Sequence, residues 1–264
     1  MSASLIMGIV NVTPDSFSDG GRFFASDSAL AQIDRLLADG ADLIDLGAES
    51  SRPNAPVVPL EEEWRRLQPL LKCLDQRDSA LRISVDTYKP EIMRRLLDHR
   101  VEIINDIRGA HQVDDSFLKA WAEAGRCYLP MHMHRDPTTM QLEPLTRAQA
   151  IPILDEFYRT TQARFIDLGF DRDKIWLDPG IGFGKNDQAN LYLIEDALRR
   201  APVTPIALGI SRKSFIGRLL DIESPIERDA PSKMLELSFL FAGVKVVRTH
   251  NVKHLSRLKT LLAP

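Results

Sequence analysis

Cysteine is almost missing from this chain of 264 residues: there are two, Cys73 and Cys127. They lie far apart and form no C-x-x-C pair, which argues against a disulfide framework or a structural zinc site and fits a reducing compartment. Long apolar runs are missing as well. The greasiest piece, residues 237–244, stops at Lys245, well short of the roughly 18 uninterrupted apolar residues of a membrane helix. Met1 to Ser4 are too few for a charged leader, and residues 5–10 have the length of a strand rather than of a signal-peptide core. The expected location is therefore the cytoplasm. Neither sign of charge dominates, since 34 Lys and Arg face 37 Asp and Glu for a net charge of -3. A broad basic field for nucleic acid is excluded, while local phosphate binding stays open.

What is present is ordinary globular matter, 44% hydrophobic and 27% charged, enough for a sizeable core. Barrels of repeating strand and helix run to about 250 residues as one unit, so a single domain over residues 1–264 is expected. Short runs of Val, Ile and Leu recur, at 5–11, 43–47, 82–86, 103–106, 127–132, 175–178, 206–209 and 246–248. Longer amphipathic stretches separate them, at 28–39, 60–76, 89–99, 116–124, 147–168, 187–200, 231–242 and 252–262. Eight alternations over 264 residues give 33 residues per unit, the spacing of a (β/α)8 TIM barrel, the fold expected here. An open doubly wound sheet also alternates. The barrel is favoured because nearly every strand candidate ends in a polar group: Asn11, Asp45 with Glu49, Asp86, Asn105 with Asp106, His132, Asp178, Ser211 to Lys213, and Arg248 to His250. In a barrel all carboxyl strand ends converge on one face. Capping of the following helices accounts for single cases of this pattern.

Three loops stand out. The first, Asn11-Val12-Thr13-Pro14-Asp15-Ser16-Phe17-Ser18-Asp19-Gly20-Gly21, is a long excursion shaped by proline and glycine, and such loops on this face are often lids or substrate loops. The second, Asp178-Pro179-Gly180-Ile181-Gly182-Phe183-Gly184-Lys185, fails both nucleotide motifs on spacing: a Walker loop needs Gly at Pro179 and Ser or Thr at Asn186, and a Rossmann turn needs Gly at Lys185. What remains is a glycine loop carrying Phe183, with a carboxylate at its start. In the third, Ser211-Arg212-Lys213-Ser214 opens a helix after the seventh strand candidate, where barrels often bind phosphate. Arg248, His250 and Arg52 are expected to converge on it beside Asn11, marking an anionic substrate group helped by a hard cation such as Mg2+. His132-Met133-His134 is the one pattern with a transition-metal look, but zinc needs a third and usually a fourth ligand.

Taken together, these loops resemble those of the dihydropteroate synthase family of folate biosynthesis. The matching segments are Asn11 to Gly21, Asp45-Leu46-Gly47-Ala48-Glu49-Ser50-Ser51-Arg52-Pro53, Ser84-Val85-Asp86-Thr87, Ile104-Asn105-Asp106-Ile107, Met131-His132-Met133, Asp178 to Lys185, Ser211 to Gly217, and Arg248-Thr249-His250. They run in the family's order over nearly the whole chain. The resemblance implies that para-aminobenzoate displaces pyrophosphate from dihydropterin pyrophosphate to give dihydropteroate. It implies further that Asp86, Asn105, Asp178 and Lys213, with Met131 and Phe183, hold the pterin. Asn11, Arg52, Arg248 and His250 then grip the pyrophosphate, with Mg2+ linking it to Asn11. Phe17, Ser51, Pro53, Lys213 and Ser214 surround the aminobenzoate, the region in which sulfonamides compete. Asp86, Asp178, Lys213 and Arg248 are the implied catalytic set, and a homodimer through the last helices is implied as well.

The chain departs from the family pattern at Ala48, Asn54, Ala230-Pro231-Ser232-Lys233-Met234 with Glu236, Asn251, and His134-Arg135-Asp136. These changes spare the pterin ligands and fall on loops and on the expected dimer surface. Three other readings stay open: a pterin-binding paralogue without synthase activity, the pterin module of a corrinoid-dependent methyltransferase, and a metal-dependent barrel hydrolase built on His132 and His134.

Overall fold

The structure, a computed structural model, describes residues 4–12, 22–51, 55–77 and 80–262, with the side chains of 22–26 outside the description. Seven parallel strands form one sheet: β1 (Leu5–Asn11), β2 (Leu43–Gly47), β3 (Ile83–Asp86), β4 (Ile103–Asp106), β5 (Cys127–Pro130), β6 (Ala207–Leu208) and β7 (Val246–Thr249). Their order is β5-β4-β3-β2-β1-β7-β6. Segment 175–178 fills the gap between the two edges. It makes isolated parallel bridges from Ile175 to Tyr128, Asp178 to Met131 and Leu177 to Ile206, with backbone bonds from Trp176 N to Tyr128 O at 2.9 Å and from Ala207 N to Leu177 O at 3.0 Å. Eight staves therefore stand where eight strand runs were expected, and the barrel is nearly closed. The sixth stave stays fragmentary because Pro130 and Pro205 flank it and have no N–H to donate to the ladder.

Helices cover the outside: α1 (Arg22–Ala38), α2 (Leu60–Asp75), α3 (Pro90–Arg95), α4 (Asp115–Glu123), α5 (Arg147–Asp167), α6 (Asp187–Arg200), α7 (Ser214–Leu220), α8 (Asp229–Ala242) and α9 (Val252–Leu262). Their starts follow local chemistry. Asp114 caps α4, Asn186 caps α6, and Thr146 with Gln149 forms a capping box on α5, each satisfying amide groups that a first helical turn leaves unpaired.

Strand side chains alternate between two apolar regions, as a period of two requires. Met7, Leu43, Ile103, Cys127, Leu129, Trp176, Ala207 and Val246 fill the lumen. Their neighbours Ile6, Ile44, Ile104, Tyr128, Ile175, Leu177 and Val247 pack outward against the helices. Two residues further along four of the staves, the lumen parity passes from apolar to polar: Leu43 to Asp45, Ile103 to Asn105, Trp176 to Asp178 and Val246 to Arg248. A dry plug therefore ends in a polar floor at the carboxyl ends of the strands. Among the described residues no helix is long and apolar enough to cross a membrane.

Candidate active site on the polar floor of the barrel

Arg248 of β7 lies across the centre of this floor. Its Nε donates to Asp45 Oδ2 at 2.6 Å and its Nη2 to Asp86 Oδ2 at 3.1 Å. Asn105 Nδ2 donates to the same Asp45 oxygen at 3.1 Å, and Asp45 is 0% exposed. Strand register sets up this contact: Gly47 pairs with Asp86, and Asp86 with Asn105. A Cβ at Gly47 would make ordinary van der Waals contacts, 3.7 Å from Asp86 Cβ and 3.9 Å from Asn11 Oδ1. Asn11 and Asp86 thus flank one gap.

Electrostatics follow from burial. Asp86 is pushed up to about 7, chiefly by loss of water; Arg248 pulls it down while Asp45, Glu63 and Asp106 push it further up. Burial works against the charge on Arg248, but Asp45 and Asp86 outweigh it and hold its pKa above the usual value. On the other side of the floor, burial also raises Asp178, opposed by Lys213, by the Gly180 amide that donates to its Oδ1 at 2.6 Å, and by Lys185 and Arg248. Lys213 is lowered to about 8 by burial, with Asp178 drawing it back up. Its ammonium donates to Ile181 O and sits 4.7 Å from the centre of the Phe183 ring. Gly182, at φ +85°, leaves room for the lysine stem, for a Cβ would stand 3.3 Å from Lys213 Cδ. Met131 is buried and pairs with Asp178 across the barrel seam.

The cations expected to gather around an anion are arranged differently. Arg212 turns outward to Asp229, with Nε to Oδ1 at 2.7 Å, and Arg248 is held by two carboxylates. His250 is lowered to about 3 by burial and by the Arg248 and Arg212 charges, so its ring is neutral, with Nδ1 3.1 Å from Ser211 Oγ. Ser214 is exposed at the first position of α7 and accepts from Arg218 at 3.2 Å. Ser51 lines a cavity of about 210 Å³ shared with Asp86. Phe17, Arg52 and Pro53 lie outside the described residues, as does Asn54. His132 packs edge-on against Phe157 with ring centres 5.4 Å apart, and burial lowers it to about 2. Among the described residues no three His, Cys, Asp or Glu side chains gather as a metal site. For Mg2+, exposed Asn11 offers a single amide oxygen. That suits a cation that keeps several waters and takes its other ligands from substrate phosphate, as Mg2+ does.

Asp45 was named among the strand-end groups expected to converge on one face but was given no role in the site, and it is the residue that holds Arg248 and Asn105. Its signal was parity, since it stands two residues after luminal Leu43. Lys233 and Glu236, expected on an outer surface, instead point inward. Lys233 Nζ donates to Glu236 Oε2 and to Thr249 Oγ1, and all three residues are buried.

Fold and site together define a parallel barrel protein with a buried floor of acidic and basic groups at the carboxyl ends of its strands. The chain belongs to the pterin-binding enzyme family, whose pattern matches residues 7–250. It is 38% identical to the dihydropteroate synthase of Escherichia coli K12, covering 94% of this chain and 86% of that one. It is 35% identical to the mitochondrial folate synthesis bifunctional protein of Arabidopsis thaliana, again over 94% of this chain but only 47% of that protein. It thus spans about half the length of such two-function relatives. Among solved structures, the Yersinia pestis dihydropteroate synthase with a sulfonamide drug superposes with a TM-score of 0.86 at 35% identity, covering 98% of this chain and 93% of that one. The Xanthomonas albilineans dihydropteroate synthase with 4-aminobenzoic acid gives 0.82 at 35% identity, covering 100% and 95%.

Proposed function

We propose that the chain is a dihydropteroate synthase, joining dihydropterin pyrophosphate to para-aminobenzoate with release of pyrophosphate. The observation that carries this is the polar floor, in which Asp86, Asn105 and Asp178 present acceptors and donors around Arg248 and Lys213. A pterin ring needs fixed partners of both kinds along its edge. Met131 and Phe183 flank these groups and serve as its apolar contacts. The pyrophosphate takes the mouth, next to Asn11, Arg52, Arg248 and His250. The aminobenzoate takes the loops that carry Phe17, Ser51, Pro53 and Ser214, with Lys213 between the two substrates.

In the reaction, the aminobenzoate nitrogen lone pair forms the new bond to the pterin methylene carbon, and the carbon–oxygen bond to pyrophosphate breaks. Its electron pair leaves with the pyrophosphate, and the nitrogen sheds one proton to water. If the carbon–oxygen bond breaks early, positive charge builds on the pterin side. Anionic Asp86 and Asp178 stabilise that charge, while Arg248 and Lys213 face the departing anion. An aniline nitrogen is already unprotonated at neutral pH, so no activated nucleophile of the Ser-His-Asp kind is required. Asn11 would help to hold a Mg2+ ion, which would supply charge neutralisation to the leaving group.

We further propose one domain over residues 1–264, cytoplasmic location, and a homodimer across α8 and α9. The dimer rests on the exposed apolar side chains Met234, Phe241 and Leu261, with Lys233 and Glu236 turned away from that face. The decisive experiment measures pyrophosphate release from dihydropterin pyrophosphate with Mg2+, with and without para-aminobenzoate, beside an Asp178→Ala variant. Aminobenzoate-dependent release that yields dihydropteroate and is lost in the variant is expected. Pterin binding without dihydropteroate would overturn the reading.

A further inference from the structure

The loop after β2 carries Ser51 to the cavity beside Asp86, and its root is held in an unusual way. Ala48, the first residue past the strand, has its carbonyl bound by Arg66 Nη1 of α2 at 2.8 Å. The next residue, Glu49, uses both carboxylate oxygens. Oε1 accepts from Tyr88 Oη at 2.8 Å, and Oε2 accepts from Lys89 Nζ. Lys89 also donates to Glu63 Oε2 of α2, a residue 1% exposed whose other oxygen has no partner among the described residues. Tyr88 and Lys89 belong to the turn that begins with Asp86 and Thr87, and Thr87 N donates to Asn105 O at 3.0 Å. The turn is therefore tied to two strands of the polar floor. Arg108 lies over the Tyr88 ring, 4.5 Å from its centre, a cation–π contact.

We infer that Glu49 is a positioning residue for the acceptor substrate: its carboxylate, clamped by Tyr88 and Lys89, fixes the Ser51 loop relative to Asp86. A purely structural ion pair would need only Lys89 and Glu63, both from elements that already pack together. The second carboxylate, on a loop and two residues before Ser51, joins the substrate loop to the strand end that holds the other substrate. Hydrogen bonds between charged groups are short and directional, and two on one carboxylate fix its orientation as well as its distance. Glu49 lines the same cavity as Ser51 and Asp86, but Tyr88 and Lys89 occupy both of its carboxylate oxygens, so its part is to position the loop.

The inference rests on the synthase reading, and the test separates the two. Steady-state KM for para-aminobenzoate, kcat, and the dissociation constant of dihydropterin pyrophosphate by titration calorimetry are measured for wild type, Glu49→Ala and Glu49→Gln, with thermal melts as a control on folding. Glu49→Ala leaves the Lys89–Glu63 pair intact. It is expected to raise KM for aminobenzoate about tenfold or more, the scale of losing hydrogen bonds to a charged group. The pterin dissociation constant should stay within about twofold of wild type. Glu49→Gln, whose amide oxygen still accepts, should recover most of the loss. Lys89→Met should raise the same KM. An unchanged aminobenzoate KM in Glu49→Ala, or a parallel loss of pterin affinity, overturns the clamp while an active wild type keeps the synthase reading. A wild type that makes no dihydropteroate overturns both.

Discussion

Replacing Asp86 with asparagine should make the unliganded protein more stable and nearly inactive. Asn keeps the shape of the side chain and stands in for the protonated acid. The carboxyl titrates at 3.8 when free in water and at about 7 in the fold. Between those values the folded state holds a proton that the unfolded state has released, so the stability this group provides is complete below pH 3.8 and is lost as pH rises to about 7. Fully charged, it costs up to roughly 4 kcal/mol, because each pKa unit is about 1.4 kcal/mol. At pH 8 the variant escapes that cost, and at pH 4 it gains almost nothing. A conversion of roughly 2–4 °C per kcal/mol for a chain of this size puts the expected gain in Tm at pH 8 at up to roughly 8–16 °C. Meanwhile the variant cannot offer a charged acceptor to the pterin, which should weaken dihydropterin pyrophosphate binding by roughly ten- to a hundredfold. Thermal melts at pH 4 and pH 8 and binding titrations at pH 8 check both halves. A variant that melts below wild type at pH 8 would refute the reasoning, because the Arg248 ion pair would then outweigh the penalty of burial.

Three further outcomes follow from the same geometry. The pH profile of kcat/KM should fall below about 7, as Asp86 takes up a proton, and above about 8, as Lys213 loses one; Lys213→Arg should carry the alkaline limb to higher pH, and an unmoved limb assigns it to another group. Gly180→Ala should cost roughly 3 kcal/mol or more, because the residue sits at φ +66° and a Cβ would fall 1.9 Å from His132 O; denaturant titration reads this, and a near-neutral result would mean that the loop after Asp178 can move aside. Lys233→Met should destabilise by roughly 3–5 kcal/mol by leaving Glu236 buried and alone, whereas Lys233→Met with Glu236→Leu should recover most of it, as judged by urea midpoints at constant m; equal loss in both would show that the Thr249 contact is what counts.

Much of this protein was legible along the chain. The runs at 5–11, 43–47 and 103–106 are strands with those bounds, and 187–200 and 252–262 are helices, because alternation, caps and turn residues are local signals. The polar ends of the strands and the order of the loops were equally visible, and with them the family. Tertiary structure decided what those residues do to one another. Segment 175–178 became a fragmentary stave because prolines on neighbouring stretches withhold donors. Arg212 left the site for Asp229, and Lys233 with Glu236 turned inward, because ion pairing and burial depend on neighbours far along the chain. The contact of Arg248 with Asp45 spans 203 positions, and the clamp on Glu49 reaches 40. Sequence spacing sets which face a side chain takes on its own strand. Only barrel closure brings those faces together, removes their water, and so sets the charges of Asp86, Asp178 and Lys213.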